Sequence, residues 1–372
     1  MIYGKGHYPD SILHIGKYYP PHLGGMETHV RDLVSHQSAE TRVEVVVAGD
    51  APVTKTEVLD GARVTRVAAF GTLASQPICP SMPWNLSGRD EKIVHMQMPN
   101  PWAALSFLIS GHKGSLVITH QSDTLGRPIL HRMTRPFVRR AMNRARAIIV
   151  TSTRYLESSE ELADFRGKCH VVPLGIEIRA YETETLDQAC DIRAKYGERL
   201  ILAVGRLVPY KGFEFLIRAM ADIDAKLLVI GRGRLDRQLE TLIEKMGLNG
   251  KVHLLGQVKD LAPYYKAAKI FVLPSITRAE AFGLVQVEAM AAGIPVINTN
   301  LESGVPEVSV DGVTGITVPP QDSIALAGAI NFLFEKEDIR RKYGEAACKR
   351  AREKFSAARM AENTLKVYES VL

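Results

Sequence analysis

The segment EAFGLVQVEAMAAGIPVINT, residues 280–299, sets the pattern for the whole chain: loop, helix, buried strand. Two carboxylates, Glu280 and Glu288, stand eight residues apart at its head. Gly283 between them has no Cβ, so backbone there can approach a ligand closely. Leu284, Val287, Met290 and Ala291 recur at helical spacing. The spacing predicts Glu280 in the loop before a helix and Glu288 on that helix, about two turns further on. Gly293 and Pro295 end the helix, and Val296-Ile297 begin a buried strand. Carboxylates accept hydrogen bonds from hydroxyls, and a helix start offers N–H groups and a dipole to phosphate. The combination suits a sugar nucleotide.

The same alternation runs outward in both directions. Upstream, ILAVG (Ile201–Gly205), LLVIG (Leu227–Gly231) and IFVL before Pro274 read as strands, with helices expected over Phe213–Met220 and Leu235–Met246. Downstream, GITV is a further strand, and residues 324–372 read as helical. In the first half, strands are expected at Ile12–Gly16, Val43–Ala48, Arg63–Val67, Ile93–Met96, Leu116–Thr119 and Ala147–Thr151, with a helix over about Glu27–His36. Two consecutive α/β sheets imply two Rossmann-like, doubly wound lobes with a cleft between them. The polar, acidic stretch Glu177–Gly197 is read as the linker.

A length of 372 residues is comfortable for two domains, and 46% hydrophobic residues can fill two cores. No run reaches about 18 apolar residues, so no transmembrane helix is expected. MIYGKGHYPDSILHIG at the N-terminus lacks the apolar run and cleavage site of a signal peptide, which makes a cytoplasmic location the expectation. Cys79, Cys169, Cys190 and Cys348 have neither metal nor disulfide spacing. The net charge of +6 is unevenly spread: six arginines and no acid lie between Arg132 and Arg146. Met133, Phe137, Val138 and Met142 interleave with them, so a cationic face backed by apolar residues could lie on an anionic membrane, with Pro136 dividing the helix or starting it. An ordinary solvated helix face is the competing reading. No nucleic-acid-binding motif accompanies the charge.

Arg206 and Lys211 follow the strand ILAVG, so both sit at a strand's carboxyl end, where open α/β sheets bind ligands. An arginine fork and a mobile lysine charge suit a diphosphate, and no Asp-x-Asp metal motif stands out. His120 ends the strand LVITH in the first half, with Asp123 nearby as a ligand-side group or a helix cap. Gly231-x-Gly233 follows a strand, but the third glycine of a dinucleotide fingerprint is missing and the second strand lacks a ribose-binding acid. Both absences weigh against the rival class, a nicotinamide-dependent oxidoreductase. The backbone N–H groups of Phe282, Gly283 and Leu284 are further candidates for sugar and phosphate contact.

The segment 280–299 resembles the signature of the retaining family 4 glycosyltransferases, enzymes of the GT-B fold. GGMETHV (Gly24–Val30), PLGIE (Pro173–Glu177), VGRLVPYKGF (Val204–Phe213), FVLPS (Phe271–Ser275) and GVPEV (Gly304–Val308) occur in that family's order and span nearly the whole chain. The resemblance implies an acceptor-binding domain over 1–176, a donor-binding domain over 177–355, and a helix over 356–372 returning to the first domain. This chain has Ser356-Ala357 where relatives often carry Ser-Trp. The resemblance further implies that Arg206 and Lys211 hold the donor pyrophosphate. Glu288 would accept from the ribose, while Glu280 and His120 would face the transferred sugar. Gly24 and Gly25 would close over the phosphates, Gly231 and Arg232 would line the nucleotide, and backbone near Val258 would meet the base. No metal or cofactor is expected beyond the donor. GDP-mannose leads as donor, ahead of UDP-sugars, with a glycan or lipid-linked acceptor in surface-polysaccharide or glycolipid assembly.

Overall fold

The computed structural model describes residues 9–22, 24–73, 76–124, 128–182 and 186–372. The first half of the N-terminal stretch 1–16, residues 1–8, lies outside them. The strands are β1 (Ser11–Ile15), β2 (Arg42–Ala48), β3 (Lys55–Leu59), β4 (Ala62–Val67), β5 (Thr72–Leu73), β6 (Gln76–Pro77), β7 (Ile93–Met98), β8 (Ser115–His120), β9 (Ala147–Val150), β10 (Cys169–Val171), β11 (Leu200–Val204), β12 (Lys226–Ile230), β13 (Val252–Gly256), β14 (Ile270–Leu273), β15 (Val296–Thr299) and β16 (Gly315–Val318). They divide between two compact units, Met1–Gly175 with Ala357–Leu372, and Ile176–Ser356.

The first unit holds an eight-stranded sheet, β10-β9-β8-β7-β1-β2-β4-β3. Only β3 runs antiparallel, as a hairpin partner of β4. The second holds a six-stranded parallel sheet, β13-β12-β11-β14-β15-β16. In both, the chain winds outward from a central strand, returns, and winds the other way. The order reverses between β1 and β7 in one sheet and between β11 and β14 in the other. Both units are therefore doubly wound and Rossmann-like, and each has a switch point at the carboxyl ends of its strands.

The burial pattern explains why these sequences form parallel strands. In β1, Leu13 and Ile15 enter one apolar cluster with Val94, Met96, Ile118 and Phe107. Ile12 enters another on the opposite face, with Ile93, Val117 and Ile149. A strand buried on both faces needs near-continuous apolar residues, and alternation then sorts them by face. The helix Ala357–Glu369 covers the second face, with Met360, Leu365 and Tyr368 in that cluster. Between Phe355 and this helix the polypeptide passes from the second unit to the first.

Two local expectations are corrected. The stretch read as linker forms the helices Arg179–Glu182 and Leu186–Tyr196. The second packs on Ala262–Ala267, whose last carbonyls, Lys266 and Ala267, accept from Arg193. Its polar composition reflects a helix that buries only a narrow face, with Ala189 at its centre. Pro136 neither divides nor starts its helix; it lies inside Pro128–Arg144, on an exposed turn. The tail is helical as expected, in three segments, Ser323–Glu335, Glu337–Lys354 and Ala357–Glu369.

Candidate functional site

In the second unit, the loops leaving β11, β12 and β13 are stitched backbone to backbone. Gly205 N–H donates to Ile230 O, Gly231 N–H to Gly256 O, and Leu207 N–H to Arg232 O, at 2.8–3.1 Å. Gly231 permits this: its φ is 142°, and a Cβ there would lie 2.0 Å from the carbonyl oxygen of Gly205. Glycine at 205 in turn leaves a lane for Lys211, since a Cβ would meet Lys211 Cε and Nζ at 3.2 Å. Arg232 lays its guanidinium beside Gly256, two residues before Val258 in the chain.

Lys211 and Glu280 meet directly. Nζ lies 2.6 Å from Glu280 Oε2, and the two side chains are only 9% and 10% exposed. Ser275, just past β14, donates to the same oxygen at 2.9 Å. An ion pair this far from water holds only when further hydrogen bonds satisfy it, and the Ser275 hydroxyl supplies one. Arg206 is exposed and donates to the Tyr210 hydroxyl at 3.3 Å. The loop after β11 thus carries a solvent-facing cation, Arg206, and a buried one, Lys211, beside the Glu280 carboxylate.

The helix Leu284–Ala291 begins as the spacing predicts, with Gly283 as its left-handed first cap, φ 75°. Glu288 stands on it and accepts from the Tyr265 hydroxyl at 2.7 Å. Burial first, and then the Glu288 charge, raise the Tyr265 pKa well above its ordinary value, so this hydroxyl stays a donor. The Phe282 side chain is buried against Phe355, ring centroids 5.9 Å apart, which leaves its backbone as the part able to meet a ligand. Leu284 is half-buried. Buried Gln286 and Asn298 hold the surroundings in place. Gln286 donates to Phe282 O at 2.7 Å, and Asn298 donates to Gln286 and to the Val305 and Ser309 carbonyls.

Arg206, Lys211, Gly231, Arg232, Val258, Glu280, Phe282, Gly283, Leu284 and Glu288 all belong to the second unit. Gly24, Gly25 and His120 belong to the first. Gly24 precedes the helix Gly25–Gln37, where a Cβ would lie 2.2 Å from Glu27 Oε2. His120 is fully buried, and both ring nitrogens are engaged: Nδ1 with Tyr155 at 2.6 Å and Nε2 with Glu161 at 3.2 Å. Tyr155 also donates to Asp123 at 3.1 Å, and Ser159 donates to the same carboxylate oxygen. Burial and the Asp123 charge raise the Tyr155 pKa well above its usual range. Asp123 therefore takes part in this network. Among the described residues, His120, Asp123 and Glu161 also bring one metal-ligand atom each within 4.8 Å of one another, though their hydrogen bonds already occupy them.

Nothing in sequence spacing ties Tyr265 to Glu288 in the second unit, or Tyr155 and Glu161 to His120 in the first; only folding makes these contacts. Ser275 was visible within FVLPS but carried no role. On the basic helix, Arg132, Arg135, Arg140, Met133 and Phe137 are exposed, while Ala141 and Met142 face the core. Arg139 pairs with Asp164 at 2.6 Å, and Arg144 stacks over Phe107 at 4.9 Å. No helix among the described residues is long and apolar enough to cross a membrane.

Two family models match, one over each half of the chain: Glycosyltransferase Family 4 over residues 23–180 and Glycosyl transferases group 1 over residues 189–350. The chain is similar to O-antigen chain mannosyltransferase C of Escherichia coli, 26% identical over 97% of this chain and 98% of that protein. It is similar to the phosphatidyl-myo-inositol mannosyltransferase of Mycobacterium leprae, 28% identical over 94% and 93%. It is also similar to D-rhamnosyltransferase WbpZ of Pseudomonas aeruginosa, 29% identical over 71% and 70%. In fold it is similar to a sucrose-phosphate synthase from Thermosynechococcus elongatus, with a TM-score of 0.80 at 23% identity over 97% and 98% of the two chains. Anabaena HepE in complex with UDP gives 0.79 at 20% identity over 97% and 100%.

Proposed function

The chain belongs to the glycosyltransferases, a family 4 segment followed by a group 1 segment on the GT-B fold, and from that membership we propose that it is a retaining enzyme moving mannose from GDP-mannose onto a glycan or lipid-linked acceptor. The setting is surface-polysaccharide or glycolipid assembly, in keeping with the mannosyltransferases to which the chain is similar. The observation that carries this reading is the Lys211–Glu280 contact at the carboxyl ends of the second sheet, with Arg206 on the same loop as Lys211.

Each residue then has a physical task. Arg206 and Lys211 neutralise the departing diphosphate, whose developing charge is the main obstacle to breaking the glycosidic bond. Glu280 accepts from hydroxyls of the transferred sugar, and Glu288 from the ribose. Lys211 links the two tasks, because it touches the sugar-gripping carboxylate while its charge serves the phosphate. The acceptor hydroxyl attacks the face the diphosphate leaves, and a phosphate oxygen takes its proton, so the configuration is kept. His120, its ring locked by Tyr155 and Glu161, shapes the acceptor domain rather than offering a free nitrogen. The basic helix Pro128–Arg144 lies on the inner, anionic face of the membrane and brings a lipid-linked acceptor within reach.

The test is nucleotide release from a panel containing GDP-mannose and UDP-glucose. Turnover with GDP-mannose is expected. Lys211→Gln and Glu280→Gln should each lower kcat/KM by about a hundredfold or more, the usual loss when one pre-placed charge is removed from a transition state, with the circular dichroism spectrum retained. Undiminished turnover in both variants refutes the site; release from UDP-glucose alone refutes the donor.

A further inference from the structure

Glu280 and Glu288 share a construction that their spacing does not foretell: in each, one carboxylate oxygen is held by a buried hydroxyl. Ser275 Oγ donates to Glu280 Oε2 over 2.9 Å, the oxygen that Lys211 Nζ also reaches. The Tyr265 hydroxyl donates to Glu288 Oε2 over 2.7 Å. Both donors are 0% exposed. Both are also anchored from behind. The Ser275 carbonyl accepts from Thr299 at the end of β15, the neighbouring strand, at 2.5 Å. The Tyr265 ring packs between Tyr181 and Phe271, each centroid 5.7 Å away. The Tyr265 hydroxyl also lies 3.2 Å from Val285 O, but it has one proton, and the shorter contact to a charged acceptor takes it.

A glutamate's last torsion is broad, and an unrestrained carboxylate samples many orientations. A donor fixed in the core removes that freedom from one oxygen and thereby aims the other. We propose that Ser275 and Tyr265 are the positioning residues of the donor site: Ser275 orients Glu280 toward the transferred sugar, and Tyr265 orients Glu288 toward the nucleoside. This rests on the donor roles given to the two glutamates above. Such fixed geometry is what lets a binding group act without reorganising when the ligand arrives.

The assignment separates by ligand. Ser275→Ala should lower kcat/KM for the sugar nucleotide by about tenfold, the worth of one hydrogen bond to a charged group, and leave the calorimetric Kd for the bare nucleoside diphosphate unchanged. Tyr265→Phe should weaken the bare nucleoside diphosphate about tenfold and raise KM with little change in kcat. The probes are GDP with GDP-mannose, and UDP with UDP-glucose. Because each hydroxyl acts through its glutamate, Ser275→Ala should add nothing to Glu280→Gln, and Tyr265→Phe nothing to Glu288→Gln. Equal losses on both ligands with a lowered Tm indicate general loosening and overturn the proposal. So does an intact response in both hydroxyl variants when the two glutamine variants are impaired. If the glutamine variants themselves match the parent, the donor reading fails first and the proposal with it.

Discussion

At the scale of single residues, the site is decided by who touches whom rather than by which residues are present. Lys211 and Glu280 lie far apart in sequence, and the local motif of each makes it a proposed site residue. Their 2.6 Å contact cannot, because it depends on β11 and β14 being neighbours in the sheet. The contact also gives substitution a double effect: removing either partner leaves the other charge shielded from water and unpaired. Gly231 is the clearest case of a residue whose reason lies elsewhere. Its glycine is legible as a turn after a strand, but the need for it comes from the Gly205 carbonyl 2.0 Å from where a Cβ would sit. Backbone cannot swing aside as a side chain can. Gly231→Ala should therefore lower the unfolding free energy by about 2–3 kcal/mol, through overpacking and a strained φ, and weaken nucleoside diphosphate binding in the same variant. Urea denaturation and calorimetry read the two effects; a normal midpoint with normal affinity contradicts the close approach.

At the scale of elements, periodicity located most strands and helices to within a residue or two, since alternation and 3.6-residue spacing are properties of the sequence itself. It failed where an element's partner is distant. The helix Leu186–Tyr196 resembles a linker until Arg193 is seen closing the end of Ala262–Ala267. The antiparallel β3 is largely exposed at the sheet edge and carries no strong apolar signal. The helix Pro128–Arg144 was legible as basic and amphipathic, but only the fold separates its two faces, with Ala141 and Met142 inward and Met133 and Phe137 outward. Exposed apolar residues among arginines fit a membrane surface, each cation contributing about 1 kcal/mol. Liposomes containing anionic lipid should co-sediment the protein at low salt and release it at high salt. The double variant Arg135→Gln, Arg140→Gln should reduce the bound fraction several-fold; binding insensitive to salt and to these changes contradicts the surface role.

At the scale of the whole molecule, burial in the first unit ties stability to pH. Among the histidines buried in this unit, burial pushes three, His14, His29 and His95, toward the neutral form. His14 bonds to Gln37 at 2.7 Å, His95 to Thr119 at 2.6 Å and to Tyr368, and His29 contacts Met360. Met360 and Tyr368 belong to the helix Ala357–Glu369, so these rings lie where the end of the chain joins the first sheet. Burial lowers the His14 pKa from 6.5 to about 4 and the His29 pKa from 6.5 to about 3, and holds His95 well below its ordinary value. Below pH 6.5 the unfolded chain takes up protons that the folded chain refuses. Stability is therefore full above about 6.5 and falls as the pH drops toward 4 and 3. At pH 5, His14 and His29 should each cost about 2 kcal/mol, and His29→Leu should flatten the dependence. A denaturation midpoint that does not move between pH 7.5 and 5 contradicts this burial. The sequence by itself determined the class of each unit and the local form of the motif around Glu280 and Glu288, because strand alternation, helix spacing and glycine or proline stops act over a few neighbours. Only the tertiary structure decided that Lys211 pairs with Glu280, that Ser275 and Tyr265 stand behind the two glutamates, that His120 has no spare nitrogen, and that the last helix seals a histidine cluster. Those are contacts across strand order, and strand order is settled by which apolar faces can be buried together.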